Sequence, residues 1–248
     1  MKLYGIIGYP LGHSFSEKYF TEKFEKENLT DCTFRNFEIE NEGEFKSLIA
    51  DNQQLQGLSV TIPYKRSIMS FLDNIDNDAK KIGAVNCIRI EQKVDKTVST
   101  GYNTDVYGFE HSFVPLLKSH HKKALVLGSG GASKAVVYIL EKLKIDYLIV
   151  TRSPHGCKHI RYSVLHEEIM QEHNIIINTT PLGMFPEINS CPDIPYKFIT
   201  KDFLLFDLIY NPETTQFLKK GKEVGATIKN GLEMLHLQAE KAWEIWNQ

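Results

Sequence analysis

The sequence has no closely spaced cysteine pair: its four cysteines, Cys32, Cys87, Cys157 and Cys191, lie far apart. That excludes a zinc ribbon and a disulfide framework, and fits free thiols in a reducing compartment. An HExxH pair is missing among the nine histidines, and His155 and His159 flank a glycine in a loop-like stretch, so no metal is expected. Charge of one sign is lacking too. With 29 basic and 31 acidic residues the formal charge is −2, which excludes the basic footprint of a nucleic-acid binder. No run approaches the roughly 20 apolar residues that span a bilayer, and residues 1–10 lack the n-region and h-region of a signal peptide. Internal repeats, low-complexity tracts and long linkers are absent. These absences lead to the expectation of a cytoplasmic globular protein with no nucleic-acid or membrane partner.

What is present suffices for a sizeable core: 248 residues, 42% of them hydrophobic, make one large domain or two modest ones. The first half mixes signals. Residues 2–9 form an apolar run ending in a Gly8-Tyr9-Pro10 turn, a strand signature. Ser16 can cap a helix carrying Tyr19, Phe20 and Phe24 on one face. Residues 33–39 alternate like a strand, and Asn41 with Glu44 resembles a capping box before Phe45, Leu48 and Ile49. A strand over 55–61 is stopped by Pro63, and 84–90 with 97–102 predicts a strand pair around a polar turn. The second half changes rhythm. Short apolar runs at 124–127, 147–150, 175–178 and 203–208 have the pattern of strands buried on both faces. A helical pattern over 132–143 follows the first of them, which makes βαβ units and a doubly wound parallel sheet. Residues 232–246 place Leu235, Ala239, Ala242, Trp243 and Trp246 at helical spacing. The expected architecture is therefore α/β, with two domains and a cleft between them, the boundary falling near 101–108.

The first apolar run of the second half leads into Gly128-Ser129-Gly130-Gly131-Ala132-Ser133, a glycine turn that opens a helix. In that context a dinucleotide is expected. Gly128 permits the tight turn, Gly130 lets backbone approach a pyrophosphate, and the helix N-terminus offers unpaired N–H groups and partial positive charge. Ser133, at the third glycine position, is small enough for close packing. The next strand ends in Thr151-Arg152-Ser153. A carboxylate there would accept from a ribose 2′-OH and favour NAD; Arg152 instead suits a 2′-phosphate, so NADP is the expected cofactor.

Five polar clusters interrupt apolar segments: Ser14 and Ser16, Thr61 with Lys65, Asn86, Asn103-Thr104-Asp105, and Gln238. Each taken singly has a plain explanation as cap, turn former or solvated side chain. Together with their surroundings they resemble the shikimate dehydrogenase family over nearly the whole chain. The matching pieces are Gly8-Tyr-Pro-Leu-Gly-His-Ser14-Phe-Ser16, Ser59-Val-Thr61-Ile-Pro-Tyr-Lys65, Gly83-Ala-Val-Asn86, Gly101-Tyr-Asn-Thr-Asp105-Val-Tyr-Gly108 and the glycine turn. Asn178-Thr-Thr-Pro-Leu-Gly-Met184, Asp207-Leu-Ile-Tyr210-Asn-Pro212 and Asn230-Gly231-Leu-Glu-Met-Leu continue the series in family order.

The resemblance implies an N-terminal α/β substrate-binding and catalytic domain (1–101 plus 232–248) and a Rossmann-type NADP-binding domain (102–231). It implies reduction of 3-dehydroshikimate to shikimate with NADPH, by a monomer or homodimer. Lys65 and Asp105 would be the catalytic pair. Ser14 and Ser16 would hold the substrate carboxylate, and Thr61, Asn86, Tyr210 and Gln238 would contact the ring and its hydroxyls. Gly128, Ser129, Gly130, Gly131, Ala132, Thr151, Arg152 and Ser153 would bind the cofactor, with Leu208 and Gly231 near the nicotinamide. Four departures stand out. Ser59 replaces a usual Asn, Cys87 a usual Thr, and Thr151-Arg-Ser a common Asn-Arg-Thr. A second basic residue soon after Arg152 is missing, Lys158 being the nearest candidate.

The residue types suit the chemistry. As hydride adds to a ketone carbon, negative charge develops on its oxygen, and an ammonium can stabilise that oxygen and donate a proton, whereas a carboxylate alone could not do the first. Rival readings are a quinate dehydrogenase, a non-catalytic metabolite sensor on the same fold, which need not keep Lys65 with Asp105, and a bare dinucleotide module, which would not need Ser14 and Ser16.

Overall fold

Strand β1 (Lys2–Gly8) turns Leu3 and Ile7 into one core and Tyr4 and Ile6 into another, so it lies inside a sheet and not at its edge. The coordinates come from a computed structural model that describes residues 1–12 and 15–248. β1 is flanked in parallel register by β2 (Cys32–Glu38) and β3 (Leu55–Val60). With β4 (Asn74–Ile75), β5 (Cys87–Gln92) and β6 (Thr97–Tyr102) they form a six-stranded mixed sheet, in the order β2-β1-β3-β5-β6-β4. The predicted pair at 84–90 and 97–102 is present as antiparallel β5 and β6. It starts only at Cys87, because the Val85 N–H is spent on the Lys65 carbonyl of the preceding turn, 2.7 Å away.

Helices α1 (Phe15–Lys26), α2 (Phe45–Asp51) and α3 (Asn77–Ile82) lie in this half. Ser16 lies inside the first turn of α1, which already includes Phe15; the Phe15 ring stacks on Tyr19 at 5.5 Å. The expected capping box is there: Asn41 accepts from Gly43 N–H while Glu44 reaches back to the Asn41 N–H, ahead of α2.

In the second half, β7 (Lys123–Leu127), β8 (Asp146–Val150), β9 (His159–Ile160), β10 (Ile175–Asn178), β11 (Leu204–Asp207) and β12 (Thr227–Lys229) pair in parallel throughout. Their order, β12-β11-β10-β7-β8-β9, is that of a doubly wound dinucleotide-binding sheet. The apolar runs alternate between two cores, as both-face burial requires. Ala124, Val126, Ile175, Ile177, Leu204 and Phe206 face one, and Leu125, Leu127, Ile176 and Leu205 face the other. Helices α4 (Asp105–Phe113) and α5 (Gly131–Lys142) close the first core; α6 (Glu167–Glu172) and α7 (Gln216–Glu223) close the second.

The chain divides into two compact units, Met1–Thr104 with Ala239–Gln248, and Asp105–Gln238. The closing helix α8 (Leu232–Trp246) therefore begins in the second unit and ends in the first. Its terminal Trp246 stacks on Tyr4 at 5.3 Å and packs with Phe20 from α1. No helix among the described residues is long and apolar enough to cross a membrane.

Two departures from the family pattern meet in this core. Ser59 and Cys87 are direct partners across β3 and β5. Both are buried, and Cys87 shares the cluster of Ala242 and Trp246, where burial pushes its thiol far up. Beside them, Gly57 leaves room for the Trp246 indole: a Cβ built there would lie 2.2 Å from Trp246 Cδ1. Gly57→Ala should therefore lower stability by about 1–3 kcal/mol, the usual penalty for overfilling a core. The check is a lower urea midpoint at unchanged slope; a midpoint equal to that of the parent would show that the indole is not held.

Candidate active site

Where β7 and β10 lie side by side the winding of the second sheet reverses, and loops leaving their carboxyl ends separate to open a crevice. A cavity of about 690 Å³ lies there, lined by Gly128, Ser129 and Gly130 after β7 and by Thr151 and Arg152 after β8. Thr179, Thr180, Pro181 and Leu182 after β10 complete the wall, with Tyr162 and Asp193 from more distant loops. Gly128 has φ +102, and a Cβ on it would meet Thr179 Oγ1 at 2.9 Å, so both conformation and space require glycine. At Gly130 and Gly131 a Cβ would meet nothing within 4 Å, so this backbone faces open space. Gly130 caps α5 without any side-chain hydrogen bond. The residues present thus fit a dinucleotide: bare amides at a helix start, room above them, and a cationic side chain one strand over.

Local hydrogen bonds fix the rim. Ser133 Oγ donates to the Gly130 carbonyl at 2.7 Å, Ser129 and Thr151 hydroxyls are 3.2 Å apart, and Thr179 Oγ1 donates to the Leu127 carbonyl at 2.7 Å. Ser153 is exposed, its N–H directed at Thr151 Oγ1. Lys158, the candidate second cation after Arg152, is engaged elsewhere: its ammonium pairs with Asp146 at 3.3 Å and sits 4.0 Å over the Tyr147 ring. Of the expected cofactor residues, Gly128, Ser129, Gly130, Thr151 and Arg152 line the cavity, while Gly131 and Ala132 stand in the first turn of α5.

Leu208 and Gly231 touch. A Cβ on Gly231 would lie 2.1 Å from the Leu208 carbonyl oxygen, and the Gly231 N–H bonds the Ile209 carbonyl at 3.0 Å. Tyr210 follows in the same turn, partly exposed, with its hydroxyl pKa raised by burial. Gln238 is half-buried on α8, donating to the Leu235 carbonyl. Gly108 lets α4 approach α8 so closely that a Cβ would meet the Met234 carbonyl at 2.4 Å.

In the first unit, Thr61 and Lys65 occupy the turn after β3, both half-buried. The Thr61 N–H is held by Ile7 O at 3.0 Å, and Gly8 keeps space for the Thr61 methyl, which a Cβ would meet at 2.5 Å. Lys65 accepts the Val85 N–H, and Asn103 Nδ2 donates to the Ala84 carbonyl at 3.0 Å, so the turns at 61–65, 83–86 and 102–104 are tied together. Asn86 is buried, and its amide is doubly engaged with Thr104: Oδ1 accepts the Thr104 N–H at 2.6 Å and Nδ2 donates to Thr104 Oγ1 at 3.0 Å. It thereby fixes the residue before Asp105, the buried first residue of α4. Ser16 is buried in α1, and Ser14 lies outside the described residues.

Sequence reasoning missed Thr179, Thr180, Pro181, Leu182, Tyr162 and Asp193 as cavity residues. The Asn178-Thr-Thr-Pro-Leu-Gly run was visible, but only the strand order places it opposite the glycine turn. Comparison with known proteins follows the same lines. The family profile for the shikimate dehydrogenase substrate binding domain matches residues 6–88. A shikimate dehydrogenase (NADP(+)) of Methanococcus vannielii is 37% identical, covering 98% of this chain and 90% of that protein. The crystal structure of shikimate dehydrogenase from Aquifex aeolicus superposes with TM-score 0.87 at 34% identity, covering 100% and 92% of the two chains. A shikimate 5-dehydrogenase from Thermus thermophilus in complex with NADP(H) and shikimate gives 0.84 at 26% identity, over 99% and 93%.

One titratable group beside this cavity stands apart. Asp207, fully buried, accepts from Ile209 N–H at 3.1 Å, Asn178 Nδ2 at 3.0 Å and Thr215 Oγ1 at 2.6 Å. Burial outweighs these bonds and pushes its pKa up to about 6. A carboxyl whose folded pKa lies above its unfolded value contributes stability at low pH that is lost as pH rises through the folded pKa. The window here runs from about 4 to about 6. Asp207→Asn mimics the protonated form, so its stability relative to the parent should rise between pH 4 and pH 7.5, by on the order of 3 kcal/mol at most. Paired urea titrations across that range test this, and a constant difference would refute it.

Proposed function

Because the chain belongs to the shikimate dehydrogenase family, we propose that it reduces 3-dehydroshikimate to shikimate with NADPH, using Lys65 and Asp105 as its proton-transfer pair. One observation carries the reading: the glycine turn and Arg152 line a single cavity in a chain alike over its whole length to NADP-dependent shikimate dehydrogenases. The first unit would bind substrate and the second NADPH. Four free thiols suit a reducing, cytoplasmic setting.

Gly128–Gly131 and the start of α5 would hold the pyrophosphate with backbone N–H groups, and Arg152 the 2′-phosphate. Leu208 and Gly231 would border the nicotinamide. When bound, the cofactor supplies the hydride that turns the ketone carbon into an alcohol. Lys65, as ammonium, stabilises the negative charge on the carbonyl oxygen and delivers the proton to it from Nζ. Asp105 orients the ammonium and takes part in returning a proton to it. Ser14 and Ser16 anchor the substrate carboxylate; Thr61, Asn86, Tyr210 and Gln238 address the ring. Because the amide of Asn86 is already bonded to Thr104, its part includes holding the chain that delivers Asp105.

The deciding assay follows NADP⁺ and NAD⁺ reduction with shikimate and with quinate. Oxidation of shikimate by NADP⁺ is the expected dominant activity; none at all overturns the reading, and a quinate preference replaces it with the quinate enzyme. Lys65→Ala should lower kcat by roughly 10²–10⁴-fold and change the shikimate KM much less; near-parental turnover would remove Lys65 from the mechanism. Arg152 contributes to phosphate binding without help from Lys158, and Asp193 brings a negative charge to the same cavity. NADP⁺ should therefore be preferred over NAD⁺ by roughly 10–150-fold, corresponding to about 1.5–3 kcal/mol for one charge-assisted contact. Arg152→Ala should bring the two KM values toward parity, and an equal loss for both cofactors would show that Arg152 does not read the 2′-phosphate.

A further inference from the structure

We propose that Asp207 is a positioning residue that sets the cofactor wall and the substrate-facing turn together, acting on Thr180 through Asn178 and on the 208–210 turn through the Ile209 N–H. The inference deepens the reading above and rests on it for its kinetic part.

Asp207 ends β11 and Asn178 ends β10, and the two are register partners in the parallel ladder. Both are fully buried. A carboxylate accepts hydrogen bonds and donates none, whereas a carboxamide presents a donor at one end and an acceptor at the other. Asp207 therefore dictates which way the Asn178 amide faces. Nδ2 points to Asp207 Oδ1, 3.0 Å away, with the Leu182 carbonyl a longer second partner at 3.5 Å, which leaves Asn178 Oδ1 toward the cavity wall. There it accepts twice from Thr180, from N–H at 3.0 Å and from Oγ1–H at 2.7 Å. With its proton committed, the Thr180 hydroxyl offers only lone pairs to its surroundings, and the Leu182 N–H takes one at 3.3 Å. Thr180 and Leu182 both line the cavity. Without the carboxylate, Nδ2 keeps only its long 3.5 Å bond to the Leu182 carbonyl, and the amide that receives Thr180 is held less firmly.

The other branch leads to the turn. Asp207 Oδ1 accepts the Ile209 N–H, Leu208 N–H bonds the Asn178 carbonyl at 3.0 Å, and Ile209 O takes the Gly231 N–H. Leu208, Tyr210 and Gly231 are thus hung on the same pair of strand ends. Oδ2 serves a third purpose, taking the proton of Thr215, whose hydroxyl caps α7 by accepting the Leu218 N–H. That contact alone would be structural, so the two roles separate by mutation.

Four variants divide them. Asp207→Asn keeps an acceptor for Asn178 and Ile209 and donates to Thr215, so it is the conservative rescue. Asp207→Ala removes every branch. Asn178→Ser cuts the link to Thr180 while leaving the carboxyl with Ile209 and Thr215. Thr215→Val removes only the cap. Each is taken at a temperature well below its own melting midpoint. Calorimetry with NADP⁺, steady-state kinetics with shikimate, and hydrogen exchange of the 178–182 backbone in free protein are then compared.

Asp207→Ala and Asn178→Ser should weaken NADP⁺ binding at least fivefold and quicken exchange at Thr180 at least tenfold. Asp207→Ala should also lower kcat/KM for shikimate more than tenfold. Asp207→Asn should stay within threefold of the parent in all of these, and Thr215→Val should lose melting temperature with NADP⁺ affinity unchanged. If Asp207→Ala does not fold, Asn178→Ser decides the matter. Folded Asn178→Ser with parental exchange and parental NADP⁺ affinity overturns the proposal, as does faster exchange with no change in binding. Exchange is read without ligand, so a parent protein inactive on shikimate would count against the proposed reaction and leave the Thr180 result standing on its own.

Discussion

At Gly128 the chain leaves β7 with φ +102, so near the Thr179 and Thr180 side chains after β10 that a Cβ would meet them at 2.9 and 3.0 Å. Most of the second unit depends on that approach. Two parallel strands that neighbour each other in space but lie far apart in sequence can separate at their carboxyl ends only if the first turns away at once. Gly128 does so, α5 starts three residues later, and its unpaired amides are left at the rim of the crevice. Thr179, held to the Leu127 carbonyl, closes the opposite side. A larger residue at 128 would not merely crowd a ligand; it would be strained at this positive φ and would displace the Thr179 and Thr180 side chains that form the opposite wall.

Much of this was legible in the residues. The runs at 124–127 and 175–178 are apolar at every ladder position but the last because both faces of the sheet are covered, and that pattern survives without any knowledge of the partners. The capping box at Asn41 and Glu44 is local and was equally plain. Strand order was not, since a parallel sheet pairs strands through long crossovers and leaves no mark on sequence spacing. The wall after β10 was missed for that reason, and so was Asp193, which arrives from a loop 14 residues further on than Thr179. Lys158, the nearest candidate for the missing second cation, shows why spacing alone says nothing of direction: just ahead of β9, its ammonium pairs with Asp146 at the start of β8.

The departures from the family pattern gain a physical reading once their neighbours are known. Ser59 and Cys87 looked like two unrelated substitutions, one before Val60 and one after Asn86. They face each other across β3 and β5, on the side where Gly57 admits the Trp246 indole. Both are compact, buried residues, and Cys87 packs in the same cluster as Trp246. Cys87 is fully buried there, and burial strongly disfavours its thiolate.

The path of α8 has a consequence for the birth of the molecule. Asp105–Gln238 is one uninterrupted stretch, so its core can close while the ribosome is still extending the chain. The unit synthesised first cannot close so early. Tyr4, Phe20 and Phe34 await Ala239, Ala242, Ile245 and Trp246, which emerge more than 200 residues after them. Until then that face of the first sheet has only α1 against it, and the aromatic surface that α8 will cover is left open, the kind that chaperones grip. The half of the protein made first is thus the last to be finished.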